Sequence, residues 1–382
     1  MTAQPQAAGT NFSKISEEEI AKLRARIGQP ISRVTPPFYT ELNVDAARHF
    51  AWAIGDDNPL WMQPGYGPTT RWKSHLCPPC ILYSTDNIVS GAVEGLPSVH
   101  AMFAGTEWQW FKPVEVGTVM KTRSVLKDMV EHQTRFAGRS FQQIYTTEFF
   151  DQHGVKIAEA DSWCFRTERD TAREEGSKYD SVPTAPVVYS DADIAEFAAQ
   201  YRSEAPRGAK RRTWESVEPG DLITPLLKGP YTVTAAVAFM QAWGSYAIRN
   251  HRIAWQYYDR HPKLAPPNEN NVPEPPVRVH WDNDFARRVG VPGAYDFGPE
   301  RITWMSHMLT DWMGDDGFLR RLKVQIRRHN PVGDLVWCRG RVVGKRVEDG
   351  KGIAACEIWA ENQNGELSVR GAAEVELPSD SD

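Results

Sequence analysis

Two stretches of the chain carry the same succession of alternating apolar and polar positions. In the first, Phe111-Lys-Pro-Val114 leads through Val116-Gly117 into Val119 to Asp128; Gln142 to Asp151 follows, then a turn at Gln152-His-Gly154, then Val155 to Arg166. In the second, His329-Asn-Pro-Val332 leads through Gly333-Asp334 into Leu335 to Lys345; Gly352 to Glu361 follows, then a turn at Asn362-Gln-Asn-Gly365, then Glu366 to Leu377. A period of two predicts half-buried β-strands, and the His-Gly and Asn-Gly pairs predict tight antiparallel connections. The matching order predicts one structural unit repeated twice.

Helical spacing appears ahead of the strands in each stretch. Pro79 to Val89 is one predicted helix; Pro299 to Met313 is the other, with Ile302, Met305, Met308, Leu309 and Trp312 on its apolar side. Proline at a first turn suits the second start. A further helix is expected over Ser13 to Arg26, where Ser16-Glu-Glu-Glu19 has the form of a capping box. One apolar helix followed by long antiparallel strands implies an α+β unit, a sheet wrapped around a buried helix. The expected divisions are a disordered tail over 1–11, a first unit over 12–167, a charged, weakly apolar linker over 168–186, and a second unit over 187–382 with an insertion at about 250–276.

Composition narrows the function. A length of 382 residues fits two domains, and 41% hydrophobic with 24% charged residues is an ordinary globular balance. A net charge of −5 gives no electrostatic footprint for nucleic acid, though it leaves room for a local basic patch that meets a polyanion. Five scattered cysteines argue against a disulfide framework and suit a reducing compartment. Cys77-Pro-Pro-Cys80 has the spacing of a metal or redox motif, but no second pair completes it, so two small part-buried residues are expected and no metal. No apolar run is long enough to span a bilayer and the first eleven residues are polar, so a cytoplasmic protein is expected. The 14 tryptophans imply large flat apolar surfaces in a core or cleft.

The candidate chemistry lies in two motifs. The first stretch holds Ala53-Ile-Gly-Asp-Asp-Asn-Pro-Leu-Trp61; the second holds Val279-His-Trp-Asp-Asn-Asp-Phe-Ala286, then Gly290-Val-Pro292 and Tyr295-Asp-Phe-Gly298. The first resembles the Gly-Asp-x-Asn-Pro-Leu-His signature of the MaoC-like R-specific enoyl-CoA hydratases, with Trp61 where the family has its histidine. The second resembles the His-x-Asp, Phe-Ala, Gly-x-Pro and His-Gly succession of the same family, with His280 at the histidine position. By the internal repeat, Ala242-Trp-Gly-Ser245 matches Ala53-Ile-Gly-Asp56, so Ser245 replaces the acid. The resemblance covers about Phe12 to Leu377. It implies a double hot-dog fold and an acyl-CoA thioester bound where the halves meet. It also implies no cofactor beyond the coenzyme A of the substrate, and a homodimer or a complex with another hot-dog protein.

Hydration of a 2-enoyl thioester needs a base for water, an acid for C2 and a donor for the developing enolate oxygen. The resemblance assigns acid/base work to His280, with Asp56 and Asn58 positioning water or substrate and Asp282 beside them. Gly298, just before the second helix, would present a backbone N–H to the enolate. Trp61, Trp255, Tyr257 and Tyr295 are the expected substrate-binding residues, the middle two from the aromatic insertion. Local readings stand beside these: Asp-Asn-Pro is turn chemistry in any protein, and Asp282 can orient His280 or bond to backbone. Two other functions remain open, a non-catalytic acyl-CoA-binding subunit and an acyl-CoA thioesterase. Arg320, Arg321, Lys323, Arg327 and Arg328 could meet phosphates, but a solvated strand face is the simpler expectation.

Overall fold

A computed structural model describes residues 15–32, 36–91, 95–96, 101–134, 138–167, 187–245, 248–262, 265–289 and 291–381. The expected tail over 1–11 and linker over 168–186 lie outside the described residues.

The first repeat supplies strands β1 (Ala101–Trp110), β2 (Lys121–Thr134), β3 (Gly138–Phe150) and β4 (Lys156–Thr167). The second supplies β5 (Leu222–Lys228), β6 (Phe318–Ile326), β7 (Val336–Glu348), β8 (Lys351–Asn362) and β9 (Leu367–Leu377). They form one sheet in the order β2-β3-β4-β1-β6-β9-β8-β7-β5. The halves join at β1 and β6, which pair antiparallel with Gly105 opposite Gln325 and Trp108 opposite Leu322. This seam covers the edge that each half would otherwise expose.

The helices are α1 (Glu17–Arg24), α2 (Val44–Ile54), α3 (Pro59–Met62), α4 (Asp191–Ser203), α5 (Val233–Trp243), α6 (His251–Arg260), α7 (Asn283–Arg288) and α8 (Gly298–Met313). The expected capping box at α1 is present between Ser16 and Glu19. The long helix α8 is the filling of the second half: Ile302, Met305 and Leu309 have no exposed surface, and Thr303, Ser306 and His307 are buried as well. A helix buried all round is what a sheet wrapped around it requires.

The first half departs from expectation at the matching place. Pro79 to Ser84 is a short 3-10 helix, and the predicted helix does not continue to Val89. The N–H groups of Ile81 and Thr85 donate three residues back, to Pro78 and Leu82. The Thr85 hydroxyl also donates to the Leu82 carbonyl, and the Asp86 carboxylate accepts from Ile88 N–H at 2.6 Å. These local bonds compete with the α-helical ladder and turn the chain early.

The repeat is clearest at α2 and α5. Asn43 caps the first and Thr232 the second, and each ends on a left-handed glycine, Gly55 at φ 66° and Gly244 at φ 69°. This confirms the matching of Asp56 with Ser245. The two helices pack across the pseudo-dyad through Phe50 and Phe239, ring centroids 6.5 Å apart. The cationic run on β6 and just beyond it is paired: Arg321 and Lys323 of β6 meet Glu107 across the seam, and Arg328, past the end of the strand, meets Glu366. All five cysteines are buried and free. Among the described residues no helix is long and apolar enough to cross a membrane.

Candidate active site

The second-half motif folds around His280. A short 3-10 turn over Pro276–His280 carries the imidazole against the segment ahead of α8. Its Nδ1 donates to the Tyr295 carbonyl at 2.8 Å, and its ring lies 3.8 Å from the Phe297 ring, centroid to centroid. A carbonyl can only accept, so Nδ1 carries the proton of the neutral ring and Nε2 holds the lone pair. Burial pushes the pKa of His280 down to about 4, which keeps the ring neutral at pH 7.

His280, Tyr295, Gly298, Tyr257, Ser245 and Phe103 line one cavity of about 390 Å³ between the halves. Gly298 is the first residue of α8. Its N–H has no acceptor within the helix and sits at the positive end of the helix dipole. A Cβ there would lie 2.4 Å from Phe103 Cδ1, so close approach is what demands glycine.

A network that the sequence reading missed holds this segment. Asp296 accepts from Arg301 Nε at 2.7 Å and again from Arg301 Nη2, and from Asn330 Nδ2 at 2.9 Å. Arg301, 1% exposed, also donates to the carbonyls of Arg328 and Ser368. Glu300 accepts from the Tyr231 hydroxyl at 2.8 Å, and burial holds its carboxyl well above the usual range. The only sequence signal was an acid and an arginine five residues apart at a helix start.

Several expected site residues have other places. Asp282 caps α7, accepting from Phe285 N–H at 2.8 Å, and lies 3.4 Å from Arg278 Nε. Asn58 caps α3, accepting from Leu60 N–H at 3.0 Å, and Asp56 accepts from Asn58 N–H at 3.0 Å. Asp56 stands beside His307, which is nine residues beyond Gly298 on α8, or about 13 Å along the helix. The structure therefore does not bring Asp56 and Asn58 to His280. Trp61, 2% exposed, fills the matching cleft of the first half. With Trp72 and Trp110 it lines the space of about 40 Å³ that is left, where Pro79 stands for Pro299. Trp255 is 53% exposed and packs edge-on against Tyr258, outside the cavity that Tyr257 lines. Gly290 lies outside the described residues.

Asp56 belongs to a second group of buried ionisable side chains. His307 Nε2 lies 3.1 Å from Asp311 Oδ2 and 3.6 Å from Asp56 Oδ1, while Lys228 Nζ is 2.9 Å from His307 Nδ1. Burial raises the pKa of Asp56, lowers that of His307 to about 3 and raises that of Asp311 to about 7. Asp56, His307 and Asp311 each bring a donor atom within 4.8 Å of the others, a spacing that suits a metal ion. The Lys228 ammonium opposes that use. It needs Nδ1 as an acceptor, which leaves the proton on Nε2, the atom that would have to bind metal. On an apolar helix, His307 reads from sequence as an ordinary core residue.

The fold is the double hot-dog of the MaoC-like dehydratases. Residues 26–160 match the family model described as the FAS1-like dehydratase domain region. Among solved structures, a MaoC-like dehydratase superposes with TM-score 0.64 at 15% identity, over 94% of this chain and 100% of that one. A MaoC-like dehydratase from Phytophthora capsici gives 0.54 at 13% identity, over 94% and 98%. A conserved hypothetical protein of Mycobacterium tuberculosis with a double hotdog fold gives 0.55 at 10%, over 92% and 96%. No curated protein matches the sequence.

Proposed function

We propose that the chain interconverts a 2-enoyl and a 3-hydroxyacyl coenzyme A thioester in the His280 cavity. The observation that carries this reading is that a neutral imidazole with its lone pair on Nε2 and the first N–H of α8 border the same cavity. The thioester carbonyl oxygen would accept from Gly298 N–H, an interaction that strengthens as the enolate forms. His280 Nε2 takes a proton from water as the water oxygen attacks C3, and then returns a proton to C2. Ser245 stands where the family has its carboxylate; its hydroxyl can hold the water but takes no proton at neutral pH. Dehydration is the reverse sequence. No cofactor enters, and coenzyme A arrives with the substrate. Five free cysteines suit a reducing compartment such as the cytoplasm.

The test follows loss of enoyl absorbance with short, long and ring-bearing 2-enoyl-CoA thioesters. His280→Ala, checked for folding, is expected to lose at least about 100-fold in kcat. In the wild type kcat/KM is expected to fall as the pH drops through about 4, where the ring protonates. Unchanged turnover in His280→Ala refutes the reading. Thioester binding with no turnover would select the alternative that Ser245 favours, a binding subunit beside an active partner. Release of free CoA thiol would select a thioesterase.

A further inference from the structure

The Lys228–His307–Asp311 group is not sealed inside the core. Asp311 also lines a cavity of about 490 Å³ beside β5, α8 and the segment that follows α4. The wall of that cavity is apolar at Leu227, Trp312 and Trp337, and its rim carries Arg207, Lys210 and Arg212. Among the described residues Glu204 is the one acid besides Asp311 that lines it. The Arg212 guanidinium is 4.6 Å from the Trp312 ring, and its Nε donates to the Trp312 carbonyl at 2.7 Å. Arg207 is steadied in the same way by the carbonyls of Lys210 and Arg211.

The interior group fixes what Asp311 presents. Lys228 Nζ also donates to the Ile54 carbonyl at 2.8 Å, so its ammonium is held in place when it donates to His307 Nδ1. The remaining His307 proton, on Nε2, then points toward Asp311 Oδ2. Asp311 Oδ1 has no hydrogen-bond partner among the described residues. Ionisable groups are seldom left in this state by packing alone, because apolar residues would fill the same space at no desolvation cost.

We propose that this cavity is a second ligand site, which takes a small organic acid whose carboxylate meets the Arg207–Lys210–Arg212 rim and shares one proton with Asp311. The proton balance is simple. A carboxylate brought beside a carboxylate repels it unless one of them is protonated, so binding retains or takes up one proton from solvent at Asp311. Burial, reinforced by Asp57 and opposed by Lys228, places that proton near neutrality, with Asp311 at about 7. The other charged groups around Asp311 are Asp56 and His307 within the cluster and Glu204 on the rim. Burial raises Glu204 as well.

The probe is butyrate, followed by calorimetry and by Trp fluorescence at pH 6 and pH 8. Wild-type affinity is expected to be about tenfold tighter at pH 6, because a group midway between the two is mostly protonated at one and mostly ionised at the other. Asp311→Asn replaces the protonated carboxyl with a fixed donor, so binding at pH 8 should equal wild-type binding at pH 6 and the pH dependence should vanish. Glu204→Gln should keep the tenfold ratio. Should Asp311→Asn fail to fold, Lys210→Met on the exposed rim serves instead, with weaker binding at both pH values and the ratio unchanged. No butyrate binding at either pH overturns the proposal. So does a pH ratio that survives Asp311→Asn or disappears in Glu204→Gln, or unchanged affinity in Lys210→Met. Loss of butyrate binding in His280→Ala would move the ligand to the other cavity and overturn the placement, whatever becomes of the hydratase reading.

Discussion

Gly298→Ala adds a single methyl group where fold and candidate chemistry meet. The new carbon would lie 2.4 Å from Phe103 Cδ1 and 3.0 Å from Ile326 Cδ1. Carbon atoms in contact settle at about 3.5–4.0 Å, so the Phe103 ring must withdraw by more than about 1 Å. It has somewhere to go, since Phe103 is half-buried and borders the cavity of about 390 Å³. The stability cost should therefore sit at the low end of overpacking, about 1 kcal/mol, or a fall in Tm of roughly 1–2 °C for a chain of this length. Catalysis should suffer more. The displaced ring enters the acyl space and the N–H of α8 shifts from the carbonyl oxygen, for a loss of about 100-fold in kcat, the scale of removing one oxyanion donor. Calorimetry and the enoyl absorbance assay read the two effects separately. Phe103→Ala removes the obstacle, so the double variant should return to the kcat of Phe103→Ala alone. Wild-type turnover in Gly298→Ala would refute the role given to this N–H. A double variant as slow as Gly298→Ala would refute the claim that ring displacement is the cause.

Two further substitutions separate structural acids and bases from chemical ones. Arg301→Met leaves Asp296 without its guanidinium and frees the Arg328 and Ser368 carbonyls; urea denaturation should show a loss of about 3–5 kcal/mol, as for other broken buried pairs. Asp282→Ala removes only the cap of α7, so it should cost about 1 kcal/mol in the same experiment and leave kcat unchanged; a tenfold fall in kcat at intact stability would restore Asp282 to the site.

What could be read in the sequence followed from period. β3, β4 and most of β8 alternate because one face meets the core and the other is more exposed, whereas β9 is buried on consecutive residues at both ends. β1 did not stand out, because its first four residues are all half-buried and carry no alternation. Yet β1 makes the seam with β6 that turns two units into one sheet. The site divided along a different line. His280 and Gly298 border one cavity because the motif keeps their spacing from one helix start. Asp56, Asn58 and Asp282 accept from backbone N–H groups of their own turns and caps, which sequence does not separate from another use, because an Asx side chain that caps a turn has the same identity and local spacing as one that holds a catalytic water. Arg301, His307 and Asp311 gave no signal, since their partners come from elements distant in the chain.

The two halves have specialised in opposite directions from a common plan. In the first, Trp61, Trp72 and Trp110 close the cleft to about 40 Å³, and the filling helix has shrunk to the turn at Pro79–Ser84. In the second, the cleft stays open at about 390 Å³, α8 runs sixteen residues, and the insertion supplies Tyr257 and Pro276 as a wall. The closed half is not idle, because its packing anchors the shared sheet. Trp108, with no exposed surface, stacks on Trp110 at 5.3 Å and sits opposite Leu322 on β6. Helix α8 then serves the open half twice. Its first N–H borders the His280 cavity, and about two and a half turns later His307, then Asp311 one turn further on, reach the group that includes Asp56 of the closed half. A rigid, fully enclosed helix is what lets one element hold two separate polar sites in register, since neither end can shift without unpacking the core between them.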